Sequence, residues 1–375
     1  MEDAVLKRTP LYSEHVALGG HMVDFAGWEM PLHYGSIIEE HMAVRERVGL
    51  FDVSHMGELL FRGDSAASGL DRLSTNSLAG REAGTCTYTH HLDGRGMIID
   101  DTIATRISRD EFLTVPNASK TGEILDWVGS RAGCEVEDVS DSVCCLALQG
   151  PQAISVAEKV APEAAGLGSF RGLFTGEGSG NFIERLGAGG MYISRTGYTG
   201  EDGFEFFVHS SRGAALWSRL MAEGGSHGIS PVGLGARDSL RLEKCYLLSG
   251  TDFDGSQTTL ETGYNWIIDW NHEFIGREAL ERQREKGAYP RLTSFLTDGK
   301  VIPRHGDAVR GDGARGNVTS GGYSPLLGRA VAMGYLDVPA EAGSRVTISV
   351  RGREIGAAVV KPPFVRARKK SGVDA

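Results

Sequence analysis

The chain has 375 residues, 41% of them hydrophobic and 23% charged, and carries a formal net charge of −10. That size allows two or three domains with a sizeable core, and the negative balance disfavours broad nucleic-acid binding, which needs a basic surface. Five cysteines with no CxxC pair argue against both a disulfide framework and a zinc site and fit a reducing cytoplasm. The start "MEDAVLKRTP" has no apolar signal core. No run of about 18 apolar residues occurs, so no membrane span is expected. The one basic cluster, Arg366, Arg368, Lys369 and Lys370, reads beyond Arg366 as a solvated tail.

The first strong element is a helix in "YGSIIEEHMAVRERVGLFDV". Ser36 and Glu39 form a capping-box pattern, Ile37, Ile38, Met42 and Val48 give a rough apolar stripe, and Gly49 is the stop signal. A strand at 57–63, a helix at 64–76 with Asp64 as its cap, and strands at 87–91 and 97–107 joined by "LDGRG" follow. A strand at 111–117, a helix at 118–133 and a weak strand at 134–138 complete the unit. This is close to the β-α-β-β-α-β order of a ferredoxin-like arrangement, with one extra strand. A second unit of similar plan starts at the strand 143–150. It continues through the helix opening at Pro151, strands at 181–186, 190–196 and 204–210, and helices at 213–224 and 233–248. From about Tyr289 the helical periodicity gives way to short strands split by Gly and Pro, which predicts a β-rich barrel or jelly-roll domain. The boundary is expected within 282–290.

Four stretches carry candidate chemistry. In "GMIIDDTIA" (96–104), alternation points Asp100 and Asp101 to opposite faces, which puts one carboxylate on a partly covered face. In "SRTGYTGEDGFEF" (194–206), Gly197, Gly200 and Gly203 permit close backbone approach to a ligand, or simply make a flexible loop. Tyr198 lies within this cluster. Glu205 faces away from Phe204 and Phe206, where a carboxylate suits two parallel N–H donors such as those of an aminopyrimidine ring. In "GLGARDSLRLE" (233–243), Arg237 and Arg241 share a helix face, as a surface ion-pair network or as an anchor for an anionic ligand. In "DVSHMGE" (52–58), Ser54 and His55 point to opposite sides and make no nucleophilic dyad, so His55 reads as a hydrogen-bonded structural residue. The adjacent His90 and His91 are poorly spaced for one metal. No P-loop or dinucleotide fingerprint is present.

Taken together, these stretches resemble the T-protein family of the glycine cleavage system, the folate-dependent aminomethyltransferases. The resemblance spans nearly the whole chain. It includes the N-terminal "TPLYSEHVALGGHMVDFAGWEMPLHYGSIIEEHMAVRERVGLFDVSHMGE", "FIGREAL", "VTSGGYSPLLGRAVAMGYL" and "KPPFVR" besides the stretches above. It implies an α+β fold, a three-domain cloverleaf of two ferredoxin-like α/β domains and a C-terminal β domain around a central channel. The two α/β domains would interleave within 1–285, one of them over roughly 56–140, and the β domain would take 286–375. It implies tetrahydrofolate as co-substrate and a lipoylated H-protein as partner, with P-protein and L-protein functionally linked, and a cytoplasmic monomer.

Site residues carry over by resemblance alone. Asp101 matches the family's catalytic carboxylate and leaves Asp100 structural. Glu205 matches the carboxylate that grips the pterin. Tyr88, Tyr198 and Tyr246 match ring-packing or hydrogen-bonding residues of the channel. Asn117, in "VPNAS", matches a folate-contacting asparagine, with the departure that Pro116 precedes it and donates to no strand ladder. Arg237 and Arg366 match arginines that hold folate or its anionic tail, and Met56, Ile103 and Val115 are expected as apolar walls. Trp266, Trp270 and Tyr264 are bulkier than the family segment leads one to expect, and suit either the channel mouth or the core. Two rival readings share the fold. One is a folate-dependent demethylase of a small methylated metabolite. The other is a folate-binding accessory protein of iron–sulfur assembly, whose lysine-glycine-cysteine motif contrasts with Lys244-Cys245 here.

Overall fold

The structure, a computed structural model, describes residues 5–366 apart from 177 and 312. Arg368, Lys369 and Lys370 lie outside the described residues. Three β systems organise it: a five-stranded sheet, a six-stranded sheet and a closed six-stranded barrel, with a two-stranded ribbon near the N-terminus.

The five-stranded sheet is antiparallel throughout. Its first strand in sequence, Leu59–Arg62, lies between the fourth, Glu111–Val115, and the last, Glu135–Asp138. The strands Cys86–Leu92 and Ile98–Arg106 complete the other edge. One face is covered by the helices Ala66–Arg72 and Thr121–Gly129, with Leu59, Phe61, Ala104 and Phe112 packed under Leu70, Ile124 and Val128. The expected Asp64 cap is replaced by Ser65, which makes no capping hydrogen bond.

The six-stranded sheet differs from expectation in two places. The stretch 181–186 is a helix, Phe182–Gly187, not a strand. Asn181 caps it and Glu184 closes a full capping box. The strand in that part of the unit is Gly172–Thr175 instead. The helix at 37 ends at Glu46, and Gly49 lies inside the next strand, Val48–Asp52, beside Val143–Gln149. The absence of a side chain at Gly49 serves packing: a Cβ there would sit 2.5 Å from Val44 and 2.6 Å from Val232.

This second sheet is apolar on both faces. Leu50, Cys144, Leu146, Phe204 and Phe206 face one core with Trp217 and Val156. Phe51, Cys145, Ala147 and Phe207 face the other, which they share with Leu60 and Leu113 of the five-stranded sheet. Alternation therefore turns Glu205 toward the five-stranded sheet. The barrel spans Arg291 to Val360 and closes where Arg291–Thr297 pairs with Arg353–Val360. The segment between helix Leu234–Glu243 and the barrel packs Leu247, Phe253, Leu260 and Phe274 onto Leu92 and Ile98 of the five-stranded sheet.

Candidate active site

Register builds the first half of the site. Tyr88 pairs with Ile103, and Ile103 with Val115, so these three lie side by side across three strands. Asp101 is two residues before Ile103 and shares its face. The Tyr88 hydroxyl donates to Asp101 Oδ2 at 2.7 Å, and Asn117 Nδ2 donates to Asp101 Oδ1 at 2.7 Å. Pro116 leaves strand pairing intact because the strand ends at Val115, and its carbonyl accepts from Gly57 N at 3.1 Å. Burial pushes the Asp101 carboxyl upward, and the Tyr88 and Asn117 hydrogen bonds oppose that shift.

Asp100 is fully buried on the other face, yet it reaches the same asparagine. Its Oδ2 accepts from Asn117 N at 2.9 Å. Its Oδ1 accepts from Asn117 Nδ2 at 2.8 Å and from the Ser249 hydroxyl at 2.8 Å. Burial and the neighbouring Asp101 charge push its carboxyl up to about 7. Asn117 Oδ1 receives no donor among the described residues.

The second half faces it from the six-stranded sheet. Glu205 pairs in register with Ser194, and Thr196 donates its hydroxyl to Glu205 Oε2. No donor from the described residues reaches Oε1. Burial raises the Glu205 carboxyl above its ordinary value. The Arg237 guanidinium lies 4.8 Å from the centre of the Tyr198 ring, and Tyr246 stacks on Tyr198 at 5.8 Å. The Tyr198 hydroxyl donates to Leu247 O. That hydroxyl is raised by burial and by Asp101 and lowered by Arg241 and Arg237, so its electrostatic neighbourhood spans both halves.

The two arginines of one helix face separate. Arg241 is buried, with hydrogen bonds to Asp252 at 2.7 Å, Asp238 at 2.8 Å and Ser320 at 2.9 Å. Arg237 makes no ion pair with a described residue. Arg241 therefore belongs to a structural network, and the Arg237 guanidinium has no hydrogen-bond or ion-pair partner among the described residues. The glycine loop also has a structural cause. A Cβ at Gly197 would lie 2.0 Å from Gln149, and Gly200, at φ +69°, would meet Lys244 at 2.4 Å.

Other predicted positions fall differently. Ile103 and Val115 are half-buried beside Tyr88, and Val115, like Met56, packs onto the core between the sheets. Arg366 is exposed, and its neighbour Val365 donates to Glu243 O at 3.0 Å, next to the end of the arginine-bearing helix. Arg366 has no hydrogen bond or ion pair with a described residue. Ser54 bonds Cys144 and Cys145 and is structural. His55 is buried, but its Nδ1 has no hydrogen-bond partner among the described residues, contrary to expectation. Burial pushes His55 down to about 4.

Trp266 and Trp270 take separate roles. Trp266 is 67% exposed and stacks on Tyr88 at 6.1 Å, at the outer end of an aromatic group with Tyr264. Trp270 packs against Phe274 beneath Arg284. Sequence reasoning missed Ser249 and Thr196 as supports of the two carboxylates. Ser249 lies where no periodicity marks a contact, and Thr196 lies past the end of the strand Met191–Ser194, which stops two residues short of the expected 190–196.

Comparison with known proteins bears on this arrangement. The family model described as "GCVT N-terminal domain" matches residues 11–272, and "Glycine cleavage T-protein C-terminal barrel domain" matches 291–366. An aminomethyltransferase of Halothermothrix orenii is 41% identical over 96% of this chain and 100% of its own. One of Rubrobacter xylanophilus is 42% identical over 97% and 95%. The crystal structure of glycine cleavage system aminomethyltransferase T from Bartonella henselae superposes with a TM-score of 0.88 at 33% identity, covering 96% of this chain and 98% of the other.

Proposed function

The chain belongs to the glycine cleavage T-protein family and is an aminomethyltransferase; on that premise we propose that it moves the methylene carbon from the S-aminomethyl-dihydrolipoyl arm of H-protein to tetrahydrofolate, releasing ammonia. The observation that carries this reading is Asp101, held by Tyr88 and Asn117 opposite Glu205 and Arg237. The fit to a reduced pterin rests on what these groups leave open. Among the described residues Glu205 Oε1 receives no donor and the Arg237 guanidinium meets no acceptor, and Tyr198 and Tyr246 offer ring faces. A carboxylate gripping an aminopyrimidine through paired N–H donors uses this chemistry.

Tetrahydrofolate, when bound, supplies the nitrogen that takes up the methylene carbon. Asp101 orients that nitrogen, offsets developing positive charge and accepts a proton at a carboxylate oxygen. Tyr88 and Asn117 fix both oxygens of Asp101, so orientation is set before the reaction begins. Arg237 faces the anionic side of the ligand, and Trp266 and Tyr264 cover the outer side of Tyr88. H-protein is the donor, with P-protein and L-protein functionally linked, and the enzyme works as a monomer in the cytoplasm, where its five free thiols persist.

The test is tetrahydrofolate binding without H-protein, followed by protein fluorescence. Glu205→Gln is expected to weaken binding by about 10-fold, the scale of one charged hydrogen bond. Equal affinity of the variant and wild type contradicts the role of Glu205. Turnover of a small methylated amine without H-protein contradicts the donor assignment.

A further inference from the structure

The Asn117 amide carries two hydrogens on Nδ2, yet three acceptors surround that nitrogen: Asp101 Oδ1 at 2.7 Å, Asp100 Oδ1 at 2.8 Å and Asp101 O at 3.3 Å. Two carboxylates and a carbonyl on one side permit one orientation of the amide, with nitrogen toward them and Oδ1 away. Asp100 does more than share this nitrogen. Its second oxygen takes Asn117 N at 2.9 Å, so one carboxylate grips both the backbone and the side chain of the same residue. Ser249 donates to Asp100 at 2.8 Å from a segment 149 positions further along the chain.

A buried carboxylate beside another is costly unless donors compensate it. Asp100 is fully buried and lies on the sheet face opposite Asp101. Three donors converge on it, two of them from Asn117. Family resemblance alone leaves Asp100 as a structural bystander, and this geometry gives it a task.

We propose that Asp100, braced by Ser249, is a positioning residue of the transfer site: it locks Asn117 so that Nδ2 is committed to Asp101 and Oδ1 is presented as an acceptor toward the bound one-carbon carrier. The proposal rests on Asp101 being the reacting carboxylate. Asp100 acts only through Asn117. Asn117 in turn sets the direction of Asp101 Oδ1, and Tyr88 sets that of Oδ2. Ser249 belongs to the segment whose Asp252 is bound by Arg241, Thr319 and Ser320, so the brace extends to the barrel.

The experiment is a double-mutant cycle on ammonia release from aminomethylated H-protein with tetrahydrofolate. It compares wild type, Asp100→Asn, Asn117→Ala and the double variant, with thermal melting of each. Asp100→Asn is expected to lower kcat on the order of 100-fold, the scale of a misplaced reacting group, with a much smaller change in KM for tetrahydrofolate. The double variant is expected to be no slower than the slower single one, since both changes act through one amide. Multiplying effects, or wild-type kcat in Asp100→Asn, overturns the proposal. Ser249→Ala keeps both carboxylates and provides the same cycle if Asp100→Asn does not fold. A smaller fall in kcat, again non-multiplicative with Asn117→Ala, supports the proposal, and an unchanged kcat overturns it. A wild-type enzyme that releases no ammonia from H-protein sinks the functional reading instead, whatever the variants do.

Discussion

Arg237 and Arg241 sit one turn apart on the same helix and do different work. Arg241 neutralises Asp252, which is fully buried and also receives Thr319 and Ser320. Arg237 stands over Tyr198 with no ion pair among the described residues. Arg241→Ala should therefore destabilise the protein by about 3–5 kcal/mol, because it leaves a buried charge uncompensated. Arg237→Ala should hardly change the melting temperature and should instead raise KM for tetrahydrofolate. Urea unfolding and steady-state kinetics on the same two proteins separate the roles, and a stability loss confined to Arg237→Ala contradicts them. Helical spacing puts both arginines on one face and carries no information about which meets a buried aspartate. That partner comes from residues 11 and more positions away. The two acidic site residues were more legible. Alternation alone turns Glu205 away from Phe204 and Phe206 and divides Asp100 from Asp101, while choosing Asp101 took the family resemblance. Neither source reveals that Asn117 reaches both carboxylates: the strand expected over 111–117 stops at Val115, and Asn117 lies past its end, free of the alternation.

Among the elements, errors of reading fall where a short apolar stretch fits two periodicities. "NFIERL" is short enough to be read as a strand, but its apolar residues Phe182, Ile183 and Leu186 have helical spacing, and the reciprocal hydrogen bonds of Asn181 and Glu184 make it a helix start. Gly49 looked like a helix stop by type, and the chain instead needs a residue without a side chain where strand Val48–Asp52 passes Val44 and Val232. Gly49→Ala should cost about 1–3 kcal/mol through overpacking, read as a lower urea midpoint at unchanged slope. A midpoint equal to wild type would show that the helix and strand give way at no cost. The long strands near the site, Cys86–Leu92 and Ile98–Arg106, were readable because alternation and a Gly-containing turn agree. The order of strands within each sheet was not. Strand Val48–Asp52 precedes the five-stranded unit in sequence yet belongs to the six-stranded sheet, a pairing set by long-range packing rather than local pattern.

Across the whole molecule, buried polar clusters join the three β systems. Glu243 accepts from Arg45 and Ser324 and lies 3.1 Å from His41, tying the helix before the linker to the barrel. Three buried histidines make the fold sensitive to acid. Burial pushes His55 and His91 down to about 4 and His90 down to about 3, from an ordinary value of 6.5. The unfolded chain binds protons at these sites below pH 6.5 and the folded one does not, so each contributes stability that is lost as pH falls from 6.5 toward 4. Asp100, raised to about 7, works in the opposite direction: its contribution declines as pH rises from about 4 to 7. A comparison of slopes isolates the histidine term. His91→Gln should lose less stability than wild type between pH 6.5 and 4.5, by about 1.4 kcal/mol for each pH unit, and parallel curves contradict the claim. The central claim, that Asp101 serves aminomethyl transfer to tetrahydrofolate, is tested most directly by ammonia release from aminomethylated H-protein, with and without tetrahydrofolate, for wild type and Asp101→Asn. The account predicts release that depends on tetrahydrofolate in wild type and falls by at least about 100-fold in the variant. Release that persists undiminished in Asp101→Asn, or that ignores tetrahydrofolate in wild type, contradicts it.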